Sequence, residues 1–191
     1  MKAVQEMQQL LGVSRAIDGL TGAVGRSVSW LILVVCVVAA GAAILGKLFG
    51  AGAYANAMLE VQWLLFAAVF LLAAPWTLSS NEHIRIDILT QRFSKRTRDW
   101  IDVMGHALFL LPMAALVLWT SVPFARLSFA QGEGSSNFGG LPQWPLKALI
   151  PVAFALLFAQ GVSELIKRVA ILRGELVDPA AGHGADIARD I

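Results

Sequence analysis

Only a few side chains in this sequence have the types and spacing that chemistry requires. His106 follows Asp102 by four residues, which places both on one face of a helix and allows a His–Asp contact. We expect that contact to be structural, and proton handling is the alternative. The single cysteine, Cys36, lies in an apolar run and is expected to be inert packing, and one cysteine forms no internal disulfide.

The sequence lacks the motifs of common catalytic and cofactor sites. It contains no phosphate-binding loop, no nucleophile elbow, no paired catalytic carboxylates and no His-x-x-x-His pair. A haem held by two histidines needs a second histidine within the apolar segments, and His106 is the only one there. A dense basic face with exposed aromatic residues is also missing, so nucleic acid is not an expected partner. We therefore predict a protein that is not an enzyme, with no catalytic, cofactor-binding or metal-binding residues.

The composition indicates that membrane helices must position the remaining polar residues. Of the 191 residues, 57% are hydrophobic and 15% are charged, whereas soluble domains average about 45–50% and about 25%. Crossing a bilayer takes a helix of about 20 apolar residues, and four charge-poor windows are that long: 27–46, 61–81, 103–125 and 144–163. Their apolar runs do not alternate, which favours helices over barrel strands. The sequence predicts an all-α integral membrane protein with four transmembrane helices.

The distribution of basic residues predicts the orientation of these spans. Twelve of the 15 Lys and Arg residues fall in the N-terminal segment, in the connection between the second and third spans, and in the C-terminal tail. Only Lys47, Arg126 and Lys147 fall on the opposite side. Because Lys and Arg are retained in cytoplasmic loops, both termini and the middle connection are predicted to be cytoplasmic.

The segments outside the membrane domain have their own patterns. In 1–26, Val4, Met7, Leu10, Leu11, Ile17 and Leu20 recur at helical spacing. This predicts an amphipathic helix lying on the membrane or packing on a partner, with a short extension of the first span as the alternative. The first span is interpreted as a retained signal anchor within a membrane domain over 27–173. The small and polar tail, 174–191, is predicted to be disordered.

Three polar residues at the ends of the predicted spans are candidates for partner contacts. Glu60 opens the second span, where it either caps the helix near its positive dipole end or contacts a partner. Gln160 and Glu164 lie four residues apart on the fourth span. They are expected to form a polar cluster at the membrane boundary, with contact between subunits as a further expectation.

Two connections between the spans carry more specific patterns. The first reads Asn-Glu-His-Ile-Arg-Ile-Asp over 81–87. If it begins a helix, His83 and Asp87 share a face while Arg85 points elsewhere, and otherwise it is a basic loop. The second connection, 132–145, contains Glu133 and the run Gly-Gly-Leu-Pro-Gln-Trp-Pro from 139 to 145. Without further context it is typical of a flexible loop before a helix.

With the four predicted spans, these connections resemble the DctQ-type small membrane subunit of tripartite ATP-independent periplasmic (TRAP) transporters. That family carries an H-[IV]-[RK]-[IV]-D-[IL] element after the second span, which residues 83–88 match. The resemblance marks His83, Arg85 and Asp87 as motif residues. A second set of residues resembles the sequence of one branch of this family, which is associated with keto-acid, mannitol or chloroaromatic substrates. These residues are Gly139, Gly140, Pro142 and Trp144. The resemblance covers about 27–168.

The resemblance implies a scaffold role without a substrate site. In such systems a periplasmic binding protein (DctP-type) captures an organic acid anion, and a large membrane subunit (DctM-type) carries it inward with sodium. The small subunit packs beside the large one in the bacterial inner membrane and helps to dock the binding protein. Glu60, Arg126 and Glu133 then become candidate periplasmic contacts, and Gln160 and Glu164 candidate contacts within the bilayer. A membrane subunit of a redox complex and a self-contained small exporter are the alternatives.

Overall fold

The structure, a computed structural model, describes residues 2–50, 52–80, 94–137 and 139–176. Helix α1 spans Lys2–Phe49, α2 spans Ala53–Ser79, α3 spans Lys95–Gly105, α4 spans Leu111–Gln131 and α5 spans Trp144–Leu172. A π-helical turn, His106–Leu110, joins α3 to α4 without a break. Within these ranges, four helical stretches are long and apolar enough to cross a membrane: Met7–Leu48, Tyr54–Ser79, Arg96–Gln131 and Trp144–Leu172. The predicted all-α fold with four membrane-spanning helices is confirmed.

Helix α1 is continuous from the N-terminal segment through the first span. Its 48 residues correspond to a length of about 72 Å at the rise of an α-helix. The segment contains no proline that would interrupt the ladder of hydrogen bonds. The helix ends at Phe49, and the next residue, Gly50, has a left-handed φ of 78° that favours glycine. The N-terminal segment is therefore an extension of the first span in this structure.

Helices α1 and α2 approach closely through a glycine. A Cβ atom at Gly25 would lie 2.5 Å from Cβ of Trp76, closer than two carbon atoms can pack. The indole of Trp76 thus occupies space that any larger residue at position 25 would fill. Small residues permit this kind of backbone approach between membrane helices, where close packing replaces the hydrophobic effect.

Helices α4 and α5 form a second closely packed pair, and the π-turn lies at its end. The N–H of Leu111 donates to the carbonyl of His106, one residue further back than in an α-helix. Pro112 follows directly, and its ring would clash with the carbonyl four residues earlier in a regular helix. A Cβ atom at Gly161 would lie 3.1 Å from side-chain carbons of Leu110 and Leu111, so this glycine permits the contact.

The exterior of the helices is apolar and aromatic. Trp63 and Trp119 are 78% and 81% exposed, and Phe109 is 75% exposed. Most of the residues buried between helices are instead small or polar, including Ala114, Ala153, Ser121, Ser128 and Ser163. This distribution is the reverse of that in a soluble protein and is expected where lipid covers the surface.

Candidate functional site

Polar residues cluster at both ends of the helix bundle. The first cluster is built on the loop between α4 and α5. Helix α4 ends in a Schellman motif, in which the N–H of Glu133 donates to Ser128 and that of Gly132 to Phe129. Gly132 has the left-handed φ of 58° that this motif requires. The motif turns the chain sharply back toward the start of α5.

The loop then forms a short antiparallel pairing. The N–H of Ser135 donates to the carbonyl of Leu141, and that of Gln143 donates to Glu133. At the tip, Gly139 has a φ of 75°. A Cβ atom at Gly140 would lie 2.4 Å from Cβ of Ser135, so a side chain at position 140 would force the two sides of the loop apart. Two of the predicted motif residues are therefore glycines because the turn excludes other side chains.

The side chain of Glu60 connects α2 to this loop. Its Oε1 accepts hydrogen bonds from the hydroxyl of Ser135 and, at 2.9 Å, from the amide of Asn137. Its Oε2 accepts from the backbone N–H of Leu141 at 2.6 Å. Hydrogen bonds to an ionised carboxylate are roughly twice as strong as neutral ones. We call these four residues the Glu60 cluster, and it holds the loop in one conformation against α2.

A second set of contacts holds the loop to α5. The ammonium of Lys147 binds the Glu133 carboxylate and lies 4.5 Å above the ring centre of Phe124. The hydrogen bond from Lys147 is the main reason that the pKa of Glu133 is lowered from its ordinary value. Phe129 and Trp144 pack edge to face with ring centres 5.2 Å apart. Both ends of the loop are thus anchored.

At the opposite end, α1 and α5 share a buried polar cluster. The carboxamide of Gln160, which is 0% exposed, accepts from the Thr21 hydroxyl at 2.7 Å and donates to the Asp18 carboxylate at 2.8 Å. The hydroxyls of Ser14 and Ser163 lie 2.7 Å apart.

The cluster continues along α5 with charged residues. Glu164 accepts a hydrogen bond from Gln160 at 3.2 Å and pairs with Lys167. Lys167 also lies 3.1 Å from a carboxylate oxygen of Asp18.

This α1–α5 cluster reverses the usual polarity of an amphipathic helix. Helix α1 buries Met7, Ser14, Thr21 and Val28, which recur every seven residues, and it exposes Leu10, Val13 and Leu20. Burying polar groups is costly unless they are bonded, and in this cluster they bond across the helix interface. Of the apolar residues that predicted an amphipathic segment, Leu10 and Leu20 face outward, where lipid or a partner would contact them, whereas Met7 is buried.

Helix α3 is attached to α5 by a buried arginine. The guanidinium of Arg168 lies 3.5 Å from a carboxylate oxygen of Asp102 and 3.9 Å from one of Asp99. Nδ1 of His106 lies 2.7 Å from the main-chain oxygen of Asp102. The predicted His–Asp contact therefore forms through the backbone, while the carboxylate of Asp102 faces α5.

The structure separates the predicted site residues into two groups. Glu60, Glu133, Gly139, Gly140, Pro142 and Trp144 lie together around the loop, where Pro142 pairs with Gly134 in an isolated bridge. Arg126 lies exposed on α4, close to that end in sequence. Gln160 and Glu164 lie in the α1–α5 cluster and are buried against α1. His83, Arg85 and Asp87 lie outside the described residues.

The polar half of α1 is a feature that the sequence analysis missed. Ser14 and Thr21 bond to α5, but neither residue is apolar, so hydrophobic periodicity does not reveal them. Their seven-residue spacing, together with Asp18 between them, could have indicated a polar seam. Within the residues that the structure describes, no group of three or more His, Cys, Asp or Glu side chains is placed to hold a metal ion.

A groove of about 560 Å³ lies beside the Glu60 cluster. One wall is the face of α2 that includes Asn56, Glu60, Trp63 and Ala67. The other wall is formed by the loop and the first turn of α5.

Comparison with known proteins identifies the family. The family model described as "Tripartite ATP-independent periplasmic transporters, DctQ component" matches residues 49–170, which include α2 to α5 up to Ala170. The chain belongs to the DctQ family. The predicted resemblance is thereby confirmed, and the Glu60 cluster lies within the matched range, whereas the α1 side of the α1–α5 cluster lies before it.

A curated relative agrees with this assignment of the chain to the DctQ family. The chain is 26% identical over 105 residues to the C4-dicarboxylate TRAP transporter small permease protein DctQ of Pseudomonas aeruginosa. That match covers 54% of this chain and 50% of the relative, so the chain spans about half the length of the relative it matches. No solved structure matches the chain significantly. As a DctQ protein with four apolar helices, the chain is a multi-pass membrane protein.

Proposed function

We propose that this DctQ protein is the small scaffold subunit of a TRAP transporter in the bacterial inner membrane. It packs beside a large DctM-type membrane subunit and helps to dock a DctP-type periplasmic binding protein, and together they take up an organic acid anion with sodium. The observation that carries the proposal is the family match over 49–170, which includes three of the four spanning stretches.

The bonding of the polar residues supports a scaffold role over a substrate pathway. The carboxylate of Glu60 accepts three hydrogen bonds from its own chain, and Gln160 bonds to three other side chains. Polar residues on a substrate path would line a water-filled pathway through the helix bundle. These residues instead fix the helices and the loop. The relative's name points to C4-dicarboxylates, so the expected substrate is a dicarboxylate or a related carboxylate such as a keto acid.

The proposed orientation places both termini in the cytoplasm and the Glu60 cluster at the periplasmic surface. Ser94 and Ser136 are both exposed and lie at opposite ends of the α3–α4 helix. Single cysteines at these positions, with Cys36 replaced, are expected to react from opposite sides of the inner membrane. A membrane-impermeant thiol reagent applied to spheroplasts should label only S136C. Labelling of both positions from the periplasm contradicts the orientation.

Docking of the binding protein is proposed at the loop end, around Glu60, Arg126 and Glu133. Charges at the rim of such an interface mainly affect the association rate and its salt dependence. Reversal of the exposed Arg126 to Glu is therefore expected to lower uptake most when the binding protein is scarce, and more binding protein should restore it. A loss of uptake that does not depend on the concentration of binding protein contradicts docking at this surface.

A further inference from the structure

We propose that the groove beside the Glu60 cluster binds a phospholipid whose headgroup carries a primary ammonium, as in phosphatidylethanolamine. The proposal rests on the shape, polarity and charge of the groove and does not depend on the transport function. Its volume of about 560 Å³ lies within the range of about 300–1,000 Å³ that is typical of small-molecule sites.

The wall formed by α2 changes from polar to apolar along its length. It begins with Asn56 and Glu60, continues with Trp63 and Leu64, and ends at Ala67. These residues form one stripe of the helix, and the distance from position 56 to position 67 is about 16 Å at the α-helical rise. The opposite wall is mixed, with the polar Asn137 and Gln143 and the apolar Leu141, Pro142 and Leu146. A ligand with a polar head and a hydrocarbon chain matches this gradient.

The polar end of the groove carries a negative charge that its neighbours do not neutralise. Glu60 receives its three hydrogen bonds from a hydroxyl, a carboxamide and a backbone N–H, all of which are neutral. A carboxylate has about four acceptor positions, so one stays available. Among the described residues that line the groove, none carries a positive charge. An ammonium group would supply both the missing charge and a hydrogen-bond donor.

The position of the groove favours a lipid as the source of that ammonium. Leu59 and Trp63 at its mouth are 51% and 78% exposed, on the outer surface of a helix that crosses the membrane. Tryptophan is enriched at the level of the lipid headgroups, where its ring contacts both chain and head. Phosphatidylglycerol would bring an anion to Glu60, and a choline headgroup has no N–H to donate. The groove therefore discriminates among headgroups in favour of a primary amine.

Native mass spectrometry of the full chain tests this proposal. The protein is reconstituted in nanodiscs with equal amounts of phosphatidylethanolamine, phosphatidylcholine and phosphatidylglycerol, and the lipid retained on release is identified. Retained phosphatidylethanolamine is expected to exceed each of the other two lipids roughly tenfold, which corresponds to a difference in binding free energy of about 1.4 kcal/mol. Equal retention of the three lipids, or no retained lipid, overturns the proposal.

Three variants locate the site. Glu60→Gln removes the charge but keeps an acceptor oxygen, and it should abolish the preference for phosphatidylethanolamine. Ala67→Trp fills the apolar end of the groove with a bulky ring, and it should remove the bound lipid. Ala115→Trp is the matched control, because it fills a separate apolar groove of about 450 Å³ that no charged residue of the described part of the chain lines, and the preference should persist. Persistence of the preference in Glu60→Gln or Ala67→Trp, or its loss in Ala115→Trp, contradicts the proposed site.

Discussion

Replacement of Arg168 by methionine is expected to destabilise the attachment of α3 to α5. The side chains of Arg168 and Asp99 are only 7% and 10% exposed, and their closest charged atoms are 3.9 Å apart. Asp102 lies closer, at 3.5 Å, and is 25% exposed. Methionine keeps much of the side-chain volume but removes the positive charge. Two carboxylates then stay near each other without the guanidinium.

The size of the effect follows from the burial of these groups. Removal of one partner from a buried ion pair typically costs about 3–5 kcal/mol, because the other charge is left desolvated. The lower end applies to Arg168, since Asp102 is partly exposed and both distances exceed those of an ideal pair. We therefore expect Arg168→Met to lower the free energy of unfolding by about 3 kcal/mol, which is a change of roughly a hundredfold in the equilibrium constant.

The assay is unfolding of the full chain in mixed micelles with increasing SDS, followed by far-ultraviolet circular dichroism. The wild type is compared with Arg168→Met and with a triple variant that adds Asp99→Asn and Asp102→Asn. The triple variant should recover part of the lost stability, because the two side chains that faced the missing guanidinium are then neutral. The reasoning is refuted if Arg168→Met unfolds within about 0.5 kcal/mol of the wild type, the range of neutral surface changes, or if the asparagines give no recovery.

Three further predictions concern the loop and the contact between α1 and α2. Gly140→Ala should accelerate amide hydrogen exchange in the loop, whereas Gly134→Ala, which has no atoms within 4 Å of the added Cβ, should not. Gly25→Ala should destabilise the protein by about 1–3 kcal/mol through overpacking. The added change Trp76→Gly removes the Cβ and the indole that the new methyl group would meet, so it should relieve that overpacking. Similar costs of Gly25→Ala with and without Trp76→Gly would contradict the contact. The pKa of Glu133 is lower in the folded state than in the unfolded state. The contribution of Glu133 to stability is therefore complete above the unfolded-state pKa, and it is lost as the pH falls through the folded-state pKa. The stability difference between wild type and Glu133→Gln should therefore be present at neutral pH and vanish in strong acid, and a difference independent of pH would contradict it.

The membrane fold could be predicted because the length of a continuous apolar run is enough to identify a helix that spans the membrane. The sequence left the continuity of α1 as one of two alternatives, because the charges at Arg15, Asp18 and Arg26 suggest an end to the apolar run. In the structure, the carboxylate of Asp18 accepts hydrogen bonds from Gln160 and Ser163 of α5, so this charged residue lies within a continuous helix. Which residue pairs with a charged side chain depends on the tertiary structure, and local periodicity in the sequence does not show it.

The candidate site was predictable in its residues but not in its contacts. The motif glycines at 139 and 140 stood out in the sequence, and the turn geometry explains them. Glu60 also stood out, but its partners lie 75 to 81 positions away along the chain. No short-range pattern links such positions. Similarly, four-residue spacing suggested a pairing of His106 with the Asp102 carboxylate, but the buried Arg168 attracts that carboxylate instead.

Sodium-driven uptake by the reconstituted transporter tests the scaffold role most directly. Proteoliposomes with the large subunit and this chain are supplied with the binding protein, and uptake of a labelled C4-dicarboxylate is measured with and without the chain. Uptake should be lost when this chain is omitted, and the chain alone should transport nothing. Variants of Glu60 and Arg168 should change the rate of uptake but leave the substrate preference and the number of sodium ions per substrate unchanged. Transport by this chain alone, or a variant that changes either of those two quantities, would contradict the scaffold role.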